Sequence, residues 1–393
     1  MSAYRYLIVG GGLTADAACK GIRERDPDGT IGLVTDETFP PYARPPLTKA
    51  LWKGDSEDTI WCGTADLGVD LQLGRTIVSL DLSAHEATDD QGETYAFEQL
   101  LFATGGRPRR LPYGGDEVIY FRTLDDYRRL RALTETAARF LVIGGGFIGS
   151  EIAAALAMNG LAVTMVFPDR GIGARIFPAG LSTYVTSYYG EKGVEVLAGT
   201  SVTGIERTGG MLRASTEDGR ELEADAVLAG LGIEPRTELA AAAGLAVEDG
   251  IVVDEHARVA GRENVFAAGD VARFPAAALD HRTRVEHEDH AKSHGRLAGI
   301  NMAGADEPYD HLPFFYSDLF DLGYEAVGEL DPRQETFSEW EEPNRKGIVY
   351  YLDAERRPRG VLLWNIFGRV DEGRDLIRAQ KTIEERTLGA HDG

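Results

Sequence analysis

Apolar and polar positions along the chain repeat one pattern twice. Leu7-Ile8-Val9 is an all-apolar run, as expected of a strand buried on both faces, and it breaks at Gly10-Gly11-Gly12 into an Ala-rich segment that predicts a helix. A strand from Thr30 to Thr35 follows, then an irregular stretch through Leu51 and short strands ending in Gln99 to Gly105. The second copy runs from the strand Phe140 to Ile143 through Gly144-Gly145-Gly146 to a helix from Gly149 to Asn159 and a strand from Leu161 to Phe167. A smaller β-rich part then closes on Ala226 to Gly232. Such a period is too long for a solenoid and predicts two related α/β domains. A third apolar run, Asn264 to Ala268, ends in Gly269-Asp270. Beyond residue 310 the pattern changes to alternating strands, Gly347 to Leu352 and Val361 to Trp364, and a charged helix near Asp371 to Arg386. That part reads as a separate antiparallel α+β domain.

The two glycine-rich turns have the spacing of a dinucleotide fingerprint in the context it requires, between a strand and a helix. Gly10 and Gly144 permit the tight turn, and Gly12 and Gly146 let backbone N–H groups approach a pyrophosphate. Ala15 and Gly149 occupy the third position, where helix and strand pack closely. Leu13, Thr14, Phe147 and Ile148 open the two helices, whose N-terminal partial charge favours an anion. Two sites in one chain imply a flavin and a nicotinamide.

Asp36 ends the strand after the first fingerprint, where a carboxylate can accept the hydroxyls of an adenosine ribose. Asp169 holds the corresponding place in the second copy and favours NADH over NADPH, with Arg170 and Arg175 near enough to offset it. Pro40 to Lys49 is stiffened by four prolines and is expected to present Arg44 and Lys49 as cations beside a reduced flavin or its pyrophosphate. Asp270 suits a ribityl hydroxyl. Glu286-His287-Glu288-Asp289-His290 is expected to open a helix to Met302 whose dipole stabilises charge on reduced flavin. His287, His290 and His294 share a face of that helix, as metal ligands or as solvated or flavin-adjacent side chains; a metal is not expected.

Composition narrows the function. The 393 residues carry a net charge of −23, which opposes binding to nucleic acid or anionic lipid. No apolar stretch is long enough for a membrane span, and Met1 to Arg5 runs straight into the first strand, so a cytoplasmic location is expected. Cys19 and Cys62 form no CxxC pair, which argues against a thiol relay. Residues 107 to 139 hold Arg107, Arg109, Arg110, Arg122, Arg128, Arg129, Arg131 and Arg139, either a docking patch or an ordinary mixed surface.

With these residues in view, the chain resembles the pyridine-nucleotide flavoprotein oxidoreductases of the oxygenase-coupled ferredoxin reductase group, and within it the apoptosis-inducing factor proteins. The group motifs are the double fingerprint, Arg44-Pro45-Pro46-Leu47-Thr48-Lys49, Ala103-Thr104-Gly105-Gly106 and Val265 to Val271. The narrower likeness rests on Phe167 to Gly171, Arg284 to His287, Gly295 to Gly299, Ser317-Asp318 with Gly323 to Ala326, and Leu363 to Phe367. The resemblance implies a glutathione-reductase-like fold. It has a discontinuous FAD domain (1–110 and 236–310), an NAD(P) domain (111–235) and a C-terminal α+β domain (311–393) that covers the flavin. It further implies non-covalent FAD, with NAD(H) as reductant and NADP(H) left open. Cofactor contacts are expected from Ala103, Thr104, Gly105, Arg122, Gly232, Gly269, Glu286 and His287, besides the fingerprint residues. Lys49 and Glu151 are expected at the nicotinamide–flavin contact, and Tyr316 near the flavin where a Trp is usual. Glu288 departs from an aromatic or His at its position. The implied activity passes electrons from NADH to a 2Fe–2S ferredoxin or a small acceptor such as a quinone. The alternative is a redox-sensing flavoprotein that changes partners or forms a homodimer on reduction.

Overall fold

The structure is a computed structural model that describes residues 2–383. The chain divides into two compact units, one of residues 1–44, 56–107 and 234–313, the other of 45–55, 108–233 and the chain from 314 onward.

In the first unit a parallel sheet runs in the order Val69–Leu73, Ile31–Thr35, Ser2–Val9, Thr94–Phe102, and Val265–Ala267 also pairs with Thr94–Phe102. A hairpin, Ile77–Asp81 with Glu86–Asp89, extends it antiparallel. The apolar runs are buried here on both faces, as parallel strands must be. Register decides where the site lies. Val9 and Ala267 both pair with Phe102, so three strands end level, and their turns at Gly10, Ala103 and Gly269 share the carboxyl edge. Helix Leu13–Arg25 packs on helix Glu288–Met302 with near backbone contact: a Cβ at Gly295 would lie 2.4 Å from the Thr14 carbonyl oxygen, and one at Gly299 2.1 Å from that of Ala18. Small residues there bring the middle of the second helix beside the start of the first, just after the first fingerprint turn.

In the second unit a parallel sheet runs Val194–Ala198, Ala162–Phe167, Arg139–Ile143, Ala226–Ala229, Val118–Ile119. Helix Phe147–Met158 begins two residues before the sequence pattern indicates, so Gly149 lies within its first turn. An antiparallel sheet of Val202–Thr208, Met211–Thr216 and Glu221–Ala224 packs its apolar side on this core. The unit also holds a five-stranded antiparallel sheet ordered Phe314–Leu319, Leu322–Gly328, Pro358–Trp364, Lys346–Leu352, Glu335–Glu342, with helix Val370–Ala379 on its central strands. That helix stops at Ala379 because Gln380 adopts a left-handed φ of 51°; the rest of the span expected as helix to Arg386 lies partly outside the described residues.

Candidate functional site

The first cradle is built by backbone. Gly10 has a φ of +124°, and a Cβ there would lie 2.1 Å from the Ala103 carbonyl oxygen, so only glycine turns the strand into the helix. A Cβ at Gly12 would meet no heavy atom within 4 Å, which leaves open space at the N-terminus of the helix Leu13 opens. Ala15 is fully buried. An open helix N-terminus flanked by a forced glycine turn fits a dinucleotide pyrophosphate such as that of FAD.

Side chains around this edge are already paired. Asp36 makes a 2.6 Å salt bridge to Arg236, which accepts the Thr104 hydroxyl at its carbonyl and donates its N–H to the Gly105 carbonyl. Glu37, one residue on, accepts from the Tyr42 hydroxyl and the Arg44 guanidinium. Burial opposes the Arg44 charge, but Glu37, Tyr42 and Asp270 more than offset it and raise its pKa. Gly269 has a φ of +70° and donates its N–H to His294 Nδ1 at 3.4 Å. The Asp270 carbonyl accepts from Arg284, which also pairs with Glu286 at 2.8 Å. His287 occupies the N-cap position, without a side-chain capping bond, of the helix, which starts at Glu288 and not Glu286, and desolvation pushes the His287 pKa down to about 4.

The histidines beyond it are not solvated, as the sequence had allowed. His290 and His294 are fully buried: His290 lies 4.5 Å from the Phe274 ring, and its Nδ1 is 2.9 Å from the Tyr309 hydroxyl. Their helical spacing places them in an aromatic core. Among the described residues no group of His, Cys, Asp or Glu has the arrangement of a metal site.

The second cradle repeats the first. Gly144 has a φ of +118°, and its Cβ would lie 2.3 Å from the Gly230 carbonyl oxygen; one at Gly149 would lie 2.1 Å from that of Gly144. Gly146, like Gly12, faces open space. Phe147 and Ile148 remain 42% and 38% exposed at the helix start, apolar surface beside an open N-terminus. Asp169 pairs with exposed Arg175 at 3.2 Å, while Arg170 is exposed. Gly232 turns at a φ of +80°, and its carbonyl accepts the Arg109 N–H. The Arg122 N–H donates to Asp126, so Arg122 leads into a capped helix, Leu124–Leu133.

Glu151, on the helix that Gly146 caps, is a buried carboxylate with both oxygens engaged. Its Oε1 lies 2.6 Å from Lys49 Nζ and accepts the Ser317 hydroxyl at 2.6 Å; its Oε2 accepts the Thr48 hydroxyl at 2.6 Å. The Lys49 ammonium stands 5.4 Å from the centre of the Tyr316 ring. Arg44 and Lys49, the two cations of the proline-rich segment, each pair with their own carboxylate, Glu37 and Glu151, and they belong to different compact units. The proline-rich segment is a boundary.

The arginines of 107–139 are largely engaged. Arg107 pairs with Glu234 and Glu238, and Arg139 with Asp225 and Glu223. Arg129 donates to the Asp116 carbonyl, while Arg110 and Arg131 lie over Tyr120 and Trp52. Sequence reasoning missed Glu37 and Arg236, and assigned no role to Thr48 and Ser317. The last two sat inside recognised strings, Leu47-Thr48-Lys49 and Ser317-Asp318, whose hydroxyls adjoin a charged or aromatic neighbour.

Residues 4–295 match the family model described as pyridine nucleotide-disulphide oxidoreductase. The chain belongs to that family. Its members bind FAD and NAD(H), so this chain is an FAD-dependent oxidoreductase with two dinucleotide-binding domains and a C-terminal domain. Residues 298–345 match the apoptosis-inducing factor C-terminal model. The chain is 34% identical to apoptosis-inducing factor 1, mitochondrial, of Dictyostelium discoideum, over 97% of this chain and 80% of that protein. It is 33% identical to the ferredoxin–NAD(+) reductase component of the anthranilate 1,2-dioxygenase system of Burkholderia cepacia, over 98% and 95%. In structure it is similar to putidaredoxin reductase in its covalent complex with putidaredoxin, with a TM-score of 0.89, 29% identity and coverage of 98% and 95%. No described helix of this family member is long and apolar enough to cross a membrane.

Proposed function

We propose that the chain takes electrons from NADH and passes them to a 2Fe–2S ferredoxin. The observation that carries this reading is the presence of two open dinucleotide cradles together with two inert thiols. Cys19 is fully buried, with its pKa raised by desolvation, and burial pushes the Cys62 thiol up to about 11. Neither is a ready thiolate, so electrons leave by a route without sulfur. Bound FAD supplies the chemistry of accepting a hydride and releasing electrons singly.

The residues divide the work. Gly12 and Gly146 leave room for pyrophosphates at two helix N-termini, and Phe147 and Ile148 offer the nicotinamide an apolar surface. Glu151 helps position the nicotinamide through Lys49, which it holds and whose charge favours the electron-rich reduced flavin. Asp36, Arg44, Ala103, Thr104, Asp270 and His287 serve the FAD. The likeness to putidaredoxin reductase in complex with its iron–sulfur partner supports the acceptor class. Two unpaired cysteines suit a cytoplasmic setting. The apoptosis-inducing factor match over 298–345 favours one second reading, a redox sensor that dimerises or changes partners when reduced.

The test is NADH-dependent reduction of a panel of 2Fe–2S proteins from the source organism, followed against ionic strength. Reduction of one of them that falls with salt, and falls again in Arg128→Glu/Arg129→Glu, supports the reductase. If none accepts electrons faster than oxygen does, and a reduced NAD complex persists, the sensor reading replaces it.

A further inference from the structure

We propose that Thr48 and Ser317 are positioning residues that clamp the Glu151 carboxylate from both oxygens and so fix where Lys49 holds its charge. The proposal rests on the reading of Lys49 and Glu151 as participants in hydride transfer.

A glutamate has three rotatable bonds, and one contact on one oxygen leaves its head free to swing. Glu151 is carried by the helix Phe147–Met158, and the contacts arrive from two other segments: the turn Pro45–Thr48 with the adjoining Lys49, and the strand Phe314–Leu319. Ser317 and Lys49 share Oε1 while Thr48 alone takes Oε2, so the carboxylate plane cannot turn away from either side without losing a bond. Thr48, Glu151 and Ser317 are all at least nine-tenths buried, so no water stands ready to replace a lost hydroxyl. Thr48 is stiff at χ1 through its branched Cβ. Its hydroxyl also lies 3.3 Å from the Pro45 carbonyl, but its single proton is better spent on the charged oxygen at 2.6 Å.

The negative charge is felt by the phenols of Tyr189 and Tyr324, both raised well above 10 by burial first and by Glu151 next. A carboxylate so placed is an anchor. Its oxygens are occupied by donors that leave it no role as a mobile base, and its task is to hold the Lys49 ammonium at one point beside the Tyr316 ring.

The experiment measures the limiting rate of flavin reduction by NADH in the holoenzyme, anaerobically, together with the NADH concentration at half-maximal rate. The variants are Thr48→Val, Thr48→Ser, Ser317→Ala, the double variant Thr48→Val/Ser317→Ala, Glu151→Gln, and the double variant placed on Glu151→Gln. Thr48→Val keeps the shape and removes the hydroxyl; Thr48→Ser keeps the hydroxyl and serves as the rescue. The expected result is a fall of about tenfold in limiting rate for the double variant, with half-saturation little changed, because misplacement of a catalytic charge acts on the rate. Thr48→Ser should stay within about twofold of wild type, and the double variant should add no further loss to Glu151→Gln, since residues acting through one group are not additive. Thermal unfolding of each holoprotein separates lost stability from lost positioning. A double variant that reduces at the wild-type rate, or that multiplies the Glu151→Gln defect, overturns the clamp. A wild-type rate in Glu151→Gln itself overturns instead the reading of the Lys49–Glu151 pair on which the clamp rests.

Discussion

Lys49 Nζ lies 2.6 Å from Glu151 Oε1, with the two side chains only 12% and 5% exposed. A pair so far from water holds only when its geometry is good and the remaining lone pairs are satisfied, as the Thr48 and Ser317 hydroxyls satisfy them. Lys49→Met strands the carboxylate and is predicted to cost about 3 kcal/mol of stability. It should also slow flavin reduction by NADH by roughly a hundredfold while FAD stays bound. Loss of FAD from the variant, or reduction at the wild-type rate, shows that the lysine has a different task.

Gly12 and Gly10 should respond to substitution in opposite ways. A side chain at Gly12 enters open space, so Gly12→Val is predicted to give a folded, colourless protein whose unfolding temperature matches that of the wild-type apoprotein. Gly10→Val forces a left-handed φ on a branched residue and drives its Cβ into the Ala103 carbonyl. That variant is predicted to lose about 2 kcal/mol or more even without cofactor. Absorbance and thermal unfolding of both apoproteins check the contrast; equal destabilisation would mean that the space beside Gly12 serves folding rather than a ligand.

Cofactor choice should turn on Asp169. A carboxylate at the ribose would repel a 2′-phosphate, and Arg175, 3.2 Å away, would offset part of that repulsion. Asp169→Ala is predicted to narrow the NADH over NADPH preference in kcat/KM by about tenfold, since a like charge facing a ligand costs of the order of a kcal/mol or more. Arg175→Ala should widen it. A wild-type enzyme that prefers NADPH would assign the ribose to the arginines.

The buried histidines set an acid limit on the first unit. Burial depresses His294 from 6.5 to about 3 and lowers His290 well below 6.5, so the folded state keeps both neutral. Above pH 6.5 neither form of the protein is protonated there and stability does not change; below it the unfolded chain takes up protons that the folded chain refuses. Stability is therefore predicted to fall from pH 6.5 down towards the folded values, by about 1.4 kcal/mol per pH unit for each histidine. Urea unfolding of the apoprotein across that window measures the slope, and His294→Asn should flatten it. A slope unchanged in His294→Asn would locate the acid sensitivity in other groups.

The cradles were legible in the sequence because a positive φ and a close backbone approach leave one residue type, and Gly10 and Gly144 announce both. The core strands were legible for the same reason in reverse: a parallel strand buried on two faces admits only apolar residues. Partnerships across long separations were not. Nothing in the order of residues says that Lys49 meets Glu151, or that Arg44 turns to Glu37, since those pairings depend on how segments far apart are brought together. The spacing of His290 and His294 correctly shows a shared helix face but carries no mark of whether that face meets solvent, cofactor or an aromatic core. The position of Pro45 to Asp55 with the second unit was equally hidden, because its stiff prolines describe local backbone and not its packing.

The central claim, that this chain moves electrons from NADH into bound FAD, is tested most directly by rapid anaerobic mixing of the purified holoprotein with stoichiometric NADH. The account predicts a yellow protein with one FAD per chain whose flavin absorbance bleaches in a single fast phase, with one NADH consumed per flavin. A protein that carries FAD but keeps its oxidised spectrum in excess NADH and in excess NADPH would contradict it.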